Sequence, residues 1–320
     1  AEPAGASPPS SLFPSSNGLR ARTKSFKRLD PNTRNSYNPK MSAYQFNGQS
    51  FELRYPAVMG ILNLTPDSFS DGGAFFDPED ALRGALAMID EGAQIIDLGG
   101  ESTRPGSEPV SEQEELARIL PVLEKLPVDQ FVLSIDTTKP AVAQAALQAG
   151  VHLINDVSGG NPELLDLAQR YQAGFVLMHT QGSPKNMQDK PAYDNVVREI
   201  RAFFDEKRDD LMERKLPRIW IDPGIGFGKS LEHNLELMGN LSAFKDEAWG
   251  LLLGSSRKSW IDGLCEAPDP SDRLGGSIAS ALCSLSHGTE IIRAHDVRET
   301  VQALEVANEL ALSSNPRYKD

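Results

Sequence analysis

The sequence predicts an α/β chain that closes as a (β/α)8 TIM barrel, with a short N-terminal β-hairpin ahead of it. Three observations carry that prediction. Between residues 57 and 312, short apolar runs alternate eight times with helical stretches that open on capping residues. Eight such pairs in about 270 residues match a barrel of this type in count and size. The predicted strand ends carry amides, carboxylates and cations, where a purely structural barrel could use Ser, Gly or Thr. A doubly wound open sheet, the runner-up, would usually carry fewer units.

Composition narrows the field. Of the 320 residues 39% are hydrophobic, which is enough for a full core. The net charge is −13, but residues 1–40 hold seven Lys/Arg and two Asp/Glu; they are +5, which leaves −18 for residues 41–320. A body that acidic is a poor surface for nucleic acid or an anionic membrane. No apolar run approaches the ~20 residues a membrane span needs. The two cysteines, Cys265 and Cys283, sit in no metal-ligand pattern and suggest reduced thiols in a cytoplasmic setting. The Ser/Pro/Asn-rich stretch 1–40 is expected to be disordered, as vector-derived or other non-core sequence. A remnant of an Arg- and Ser-rich transit peptide is the sharper alternative. Residues 41–320 are expected to form one catalytic domain.

The elements follow in order. Tyr44–Tyr55 flank Asn47-Gly48, a type I′ turn signal, and read as a hairpin lying under the domain. Strands are predicted at 57–63, 94–98, 131–135, 151–154, 174–178, 218–221, 250–253 and 290–293. Helices are predicted at 78–92, with Asp77 as N-cap, and at 111–126, whose Ser111-Glu112-Gln113-Glu114 has the capping-box form. Others are predicted at 140–149, 162–171, 195–214, 233–241, 258–264, 276–286 and 297–312.

The segment Gly60–Gly73, GILNLTPDSFSDGG, shows what a strand end can do. An apolar strand is broken by Asn63 and opens into a loop of Ser, Asp and Gly. Catalytic residues of such barrels stand at the C-terminal strand ends. In order those ends carry Asn63, Asp97, Asp136, Asn155, His179, Asp222, Ser255 to Lys258, and Arg293 to His295. Any one could be a helix cap, as Asp136 could be for the helix after it; a full ring of caps is another matter.

The ring divides chemically. Asp136, Asn155 and Asp222 suit a flat heterocycle rich in N–H groups, since buried carboxylates need hydrogen-bond donors. Met178 and Phe227 could sandwich its faces, and Lys258 adds a donor for a carbonyl or ring nitrogen. The other half suits an anion. Arg293 and His295 end the last strand, where barrels often bind phosphate. Asn63 could hold Mg²⁺ through its amide oxygen, because that ion prefers few protein ligands when it is shared with phosphates. Arg257 and the N–H groups that open the helix at Lys258-Ser259 offer another anion seat.

Other motifs fail. The stretch 223–230, PGIGFGKS, has one residue too few between its glycines for a P-loop. No H-x-H or H-E-x-x-H spacing supports a zinc hydrolase, and no G-x-S-x-G elbow supports a serine hydrolase. His152, His233 and His287 read as packing or surface residues.

These residues resemble the dihydropteroate synthase family, over nearly everything from about residue 56 to 312. The resemblance rests on GILNLTPDSFSDGG, DLGGESTRPGS (97–107), SIDTTKP (134–140), INDVSGG (154–160), MHTQGSPKNMQ (178–188), IDPGIGFGKS (221–230), SSRKSW (255–260) and IRAHDVRETV (292–301). It implies a Mg²⁺-dependent condensation of hydroxymethyl-dihydropterin pyrophosphate with p-aminobenzoate. It implies that Asp136, Asn155, Asp222 and Lys258 grip the pterin edge, with Met178 and Phe227 against its faces. Asn63 would hold Mg²⁺, and Arg104, Arg293 and His295 would bind the diphosphate with it. Thr103, Arg104, Pro105, Phe227 and Ser259 would form the aminobenzoate pocket, helped by Asp71. Asp71, Arg104, Asp136 and Lys258 would carry the catalysis.

The resemblance also implies that the loops at 65–76 and 101–110 close on bound diphosphate. Thr180 stands where a larger Met is common in the family. The 97–107 loop keeps the usual form, so a sulfonamide-sensitive enzyme is expected. A pterin-binding methyltransferase domain would need neither the STRPG loop nor the Ser255–Ser259 seat. A non-catalytic paralogue should have lost part of the Asn63, Arg293 and His295 set. A homodimer is expected through the C-terminal helices, with Val301, Leu304, Ala311 and Leu312 as a compatible apolar face, which barrel packing explains equally well.

Overall fold

Eight buried parallel strands close on themselves in the computed structural model, which describes residues 41–65, 77–102, 107–182, 187 and 191–313. The predicted loop at 65–76 and the STRPG turn therefore lie largely outside the described residues. So does the stretch 1–40. Two strands precede the barrel, β1 (Met41–Phe46) and β2 (Gln49–Arg54), paired antiparallel with Tyr44 opposite Phe51. Their turn is of the expected kind: Asn47 and Gly48 both have positive φ, 48° and 80°.

The barrel strands are β3 (Ala57–Asn63), β4 (Ile95–Gly99), β5 (Val132–Asp136), β6 (Leu153–Asp156), β7 (Gly174–Met178), β8 (Ile219–Asp222), β9 (Gly250–Leu253) and β10 (Ile291–Ala294). Each pairs with its neighbour in sequence, and β10 pairs with β3 to close the ring. Closure excludes the open doubly wound sheet. The helices are α1 (Pro78–Asp90), α2 (Glu112–Leu123), α3 (Pro140–Gln148), α4 (Pro162–Tyr171), α5 (Val196–Glu213), α6 (Leu231–Gly239), α7 (Ser259–Cys265), α8 (Leu274–Leu285) and α9 (Val297–Ser313). Their apolar faces cover the outward side chains of the strands, and both strand faces are dry in consequence.

Caps explain most helix starts. Asp77, Ser111, Asn161 and Asn195 each accept a hydrogen bond from a backbone N–H of the first turn. The Glu114 carboxylate of the expected capping box turns instead to Arg118. A reciprocal box does form at α6, between Ser230 and His233, so that helix begins two residues earlier than its periodicity suggested. Several strands run one or two residues further towards their C-terminal ends than predicted. Gly99, Asp136, Asp156 and Asp222 are polar or small, yet their backbones remain in the ladder.

The hairpin seals the N-terminal end of the barrel. Phe46, Leu53 and Tyr55 join Met59, Ile95 and Trp220 in a single buried cluster. The Asn47 side chain donates to the carbonyls of Leu147 and Val151 at 2.8 and 2.9 Å, which ties the turn to α3 and the segment before β6. His152 accepts from the Leu133 N–H at 2.9 Å and lies edge-on to Phe51, a packing role as expected. On the same floor, Glu290 accepts from Trp220 at 3.1 Å and from Arg218 at 2.9 Å.

Gly250 makes room for that arrangement. A Cβ there would lie 2.2 Å from Glu290 Oε2 and 2.4 Å from Trp220 Cδ1. Gly250→Ala is expected to lower stability by about 2 kcal/mol through overpacking and a lost buried bond. The check is the urea midpoint; an unchanged midpoint would mean that the floor is not close-packed.

Candidate active site

Side chains alternate along a strand, so every second residue points into the barrel. One inward layer is almost wholly apolar: Met59, Ile95, Val132, Leu153, Val176, Trp220, Leu252 and Ile291. Two residues further along each strand the inward set is Ile61, Asp97, Ser134, Asn155, Met178, Asp222, Gly254 and Arg293. A third step brings Asn63, Gly99, Asp136, Ser256 and His295 to the rim. The change from grease to charge thus occurs within one pleat. Asp97 and Ser134 are wholly buried, and Asn155, Asp222 and Asp136 nearly so.

Arg293 organises this layer. Its Nε donates to Asp97 Oδ2 at 2.7 Å and its Nη2 to Asp136 Oδ2 at 2.8 Å. Asn155 Nδ2 donates to the same Asp97 oxygen at 2.9 Å. Asp97 Oδ1 and Asp136 Oδ1 remain buried with no partner. Unsatisfied buried acceptors are costly, so they mark where a donor-bearing ligand would bind. Asp136 does not cap α3, since the N-cap there is Lys139.

The second charged pair lies beside the first. Asp222 Oδ1 accepts from the Gly224 N–H at 2.7 Å. Lys258 donates to the Ile225 carbonyl and places its ammonium 4.4 Å from the Phe227 ring centroid. Gly254 keeps space open among these groups: a Cβ there would lie 3.3 Å from Asp222 Oδ2, 3.8 Å from Lys258 Nζ and 3.9 Å from Arg293 Cδ. Gly99 does the same between Asn63 and Asp136.

Burial shifts these groups towards neutrality. It pushes Asp136 up to about 7 against the opposing pull of Arg293, and Asp97 adds to the rise. It raises Asp222 as well, with Lys258 as the main opposing charge. Lys258 is drawn down to about 8, although Asp222 resists. For Arg293 burial works against the charge, but Asp97 and Asp136 outweigh it and its pKa rises.

The remaining expectations divide. Asn63 lies at the rim, and its amide makes no hydrogen bond among the described residues. Met178 points inward at the end of β7. His295 stands beside Ser256, with Nδ1 3.1 Å from its hydroxyl. Ser259 is exposed at the start of α7. Arg257 is not available to an anion seat as expected; Asp296 holds its guanidinium, with Nε 2.9 Å from Oδ2. Asp71, Thr103, Arg104 and Pro105 lie outside the described residues.

Sequence reasoning placed Asp97 in the ring but gave it no role. Its inward parity with Ile95 was the available signal. It passed over Gly254 and Lys229. Lys229 is buried, donates to the Phe227 carbonyl and approaches His179.

Comparison with known proteins places the chain that carries this layer. Residues 59–295 match the family described as pterin binding enzyme. The dihydropteroate synthase of Escherichia coli strain K12 is 45% identical over 277 residues, covering 85% of this chain and 98% of that protein.

The chain belongs to the dihydropteroate synthase family of pterin-binding enzymes.

Solved dihydropteroate synthases agree. The Yersinia pestis enzyme, in a sulfonamide drug complex, is 43% identical with a TM-score of 0.77, over 84% of this chain and 99% of that one. The Xanthomonas albilineans enzyme, with 4-aminobenzoic acid, is 39% identical with a TM-score of 0.78, over 85% and 99%.

Within this chain, Arg293 is the counter-charge that lets Asp97 and Asp136 remain buried. Arg293→Met is expected to cost about 3–5 kcal/mol in urea unfolding, because two carboxylates lose their partner. Adding Asp97→Asn should return part of that loss. A single variant as stable as the parent would show that the carboxylates do not depend on the guanidinium.

Proposed function

We propose that the barrel mouth joins 6-hydroxymethyl-7,8-dihydropterin pyrophosphate to p-aminobenzoate, giving 7,8-dihydropteroate and pyrophosphate. The observation that carries this reading is the pair of buried, unpartnered carboxylate oxygens of Asp97 and Asp136 at the barrel mouth, in a chain of this family. The edge of a pterin offers N–H donors to Asp136 and Asp222. Asn155 and Lys258 supply the complementary amide and ammonium. Met178 and Phe227 would flank the ring.

The chemistry needs no protein nucleophile. The bond between the pterin methylene and the diphosphate oxygen breaks, and its electron pair leaves with the diphosphate. The methylene is then cationic and conjugated with the ring, where the nearby carboxylates stabilise it. The aminobenzoate nitrogen forms the new bond with its lone pair and loses a proton to solvent. Arg293 and His295 would face the departing anion, and Arg104 would join them. Ser259, Thr103 and Pro105 would seat the aminobenzoate, while Asp71 would close over it.

Asn63 would hold Mg²⁺. Its amide oxygen makes no hydrogen bond among the described residues and borders the space left by Gly99. No group of three His, Cys, Asp or Glu suited to a metal occurs among the described residues, which agrees with an ion bound through one amide and the substrate's phosphates. When bound, that ion supplies positive charge to the leaving diphosphate.

We further read the protein as a cytoplasmic homodimer. No helix among the described residues is long and apolar enough to cross a membrane. Val301 and Leu304 face the barrel rather than a partner, so the dimer face on α9 would instead involve Val306 and Leu310, both exposed.

Pyrophosphate release from the pterin substrate with Mg²⁺ should require p-aminobenzoate and be suppressed competitively by a sulfonamide. Turnover that persists at high drug concentration would remove the sensitivity reading. Pterin binding with no turnover would favour a non-catalytic protein.

The free-enzyme pH profile offers a second check. Asp136 ionises near 7 and Lys258 loses its proton near 8. The profile of kcat/KM for the pterin substrate should therefore rise through the first value and fall through the second. Lys258→Arg should abolish the alkaline fall, because a guanidinium keeps its proton. A profile flat from about pH 6 to 9 would exclude both groups from recognition.

A further inference from the structure

The loop between β8 and α6 carries the Phe227 ring, and its backbone is pressed against the segment that follows β7. A Cβ at Gly224 would lie 1.9 Å from the His179 carbonyl oxygen, and one at Gly228 would lie 2.4 Å from that of Gln181. Both glycines also have positive φ, so the close approach and the backbone turn select the same residue. Three carbonyls of this loop are held by side chains from three places. Ile225 is held by Lys258, Gly228 by the Tyr193 hydroxyl at 3.1 Å, and Phe227 by Lys229 at 2.8 Å.

Lys229 is the unexpected member of that set. It is 3% exposed, and its Nζ lies 3.2 Å from Nδ1 of His179. His179 is itself fixed edge-on against Phe203, with ring centroids 5.0 Å apart. Burial lowers His179 to about 3, so its ring is neutral and Nδ1 can accept from the lysine. Taking an ammonium out of water is expensive, and nothing in the chemistry proposed above uses this one. The charged groups that face it are Asp222 from β8 and Lys258 from the segment before α7.

We propose that Lys229 is a positioning residue: by bridging the Phe227 carbonyl and the His179 ring, it sets where the Phe227 ring stands at the mouth and so tunes affinity for the heterocycle. This rests on Phe227 being a wall of the pterin pocket. The consequence concerns binding more than chemistry, because Phe227 packs on a ring that keeps its shape through the reaction. Lys258 would feel the change second-hand, since its ammonium rests on the same aromatic face.

A double-mutant cycle tests this. Lys229→Met should raise KM for dihydropterin pyrophosphate up to about tenfold, the worth of one hydrogen bond, while kcat stays within about threefold. In a Phe227→Ala background the same substitution should change KM by less than about twofold. Additive effects, or an unchanged KM in the single variant, would overturn the proposal. So would a fall in kcat as large as the rise in KM.

His179→Leu removes the other end of the bridge and leaves the Phe227 contact. It should raise KM more weakly and lose its effect in the same background, and it decides the matter if Lys229→Met does not fold. Failure of the underlying functional reading would look different: the parent chain would show no aminobenzoate-dependent pyrophosphate release.

Discussion

A guanidinium shared by two buried carboxylates is the interaction on which the mouth of this barrel depends. Arg293 stands on β10, which pairs with β3, yet it reaches past β3 to Asp97 on β4 and Asp136 on β5. Such clusters are poor investments for stability alone, since well-packed apolar residues often do as well. Here the cluster leaves Oδ1 of each aspartate buried and unpartnered. Arg293 therefore holds two buried acceptors without using up their second oxygens. The deficit is one that a ligand rich in N–H groups would make good.

That deficit is sustained by what lies beneath. The hairpin, Trp220 and the apolar inward layer close the far end of the barrel, so the charged layer meets solvent from one side. A dry floor directly under the carboxylates is why burial is the leading influence on Asp136, Asp222 and Lys258. Glycine supplies the complementary feature. Gly99 and Gly254 take inward positions among larger side chains and leave room where the polar groups converge. Floor, charge and space thus come from consecutive steps along the same strands.

Much of this could be read from the chain itself. The eightfold alternation gave the architecture, and position at the C-terminal strand ends singled out Asn63, Asp136, Asn155, Asp222 and Arg293. What escaped was pairing at long range. No local pattern says that Arg293 will spend its Nε on a residue 196 positions away, or that Arg257 will turn to Asp296 and leave the anion seat. Strand ends were drawn short for a related reason: Gly99, Asp136, Asp156 and Asp222 look like loop residues, but ladder bonds and buried partners keep them extended. The apolar face of α9 stayed open between a partner and the barrel, because periodicity marks a face without saying what it faces; Val301 and Leu304 pack on the barrel.

The titration positions of the mouth bear on how it can act without a nucleophile. Asp136 and Lys258 are shifted towards each other, to about 7 and about 8. In a reaction whose transition state carries positive charge on the heterocycle, ionised carboxylates help. Held near neutrality, both groups can adopt the charge that the bound ring demands at little cost in free energy, since a pKa close to ambient pH makes either protonation state accessible. The donors and acceptors are already oriented by Arg293, Asn155 and Gly224, so little reorganisation is required as charge develops. Pre-set electrostatics of this kind account for a site with three buried aspartates, a lysine and an arginine.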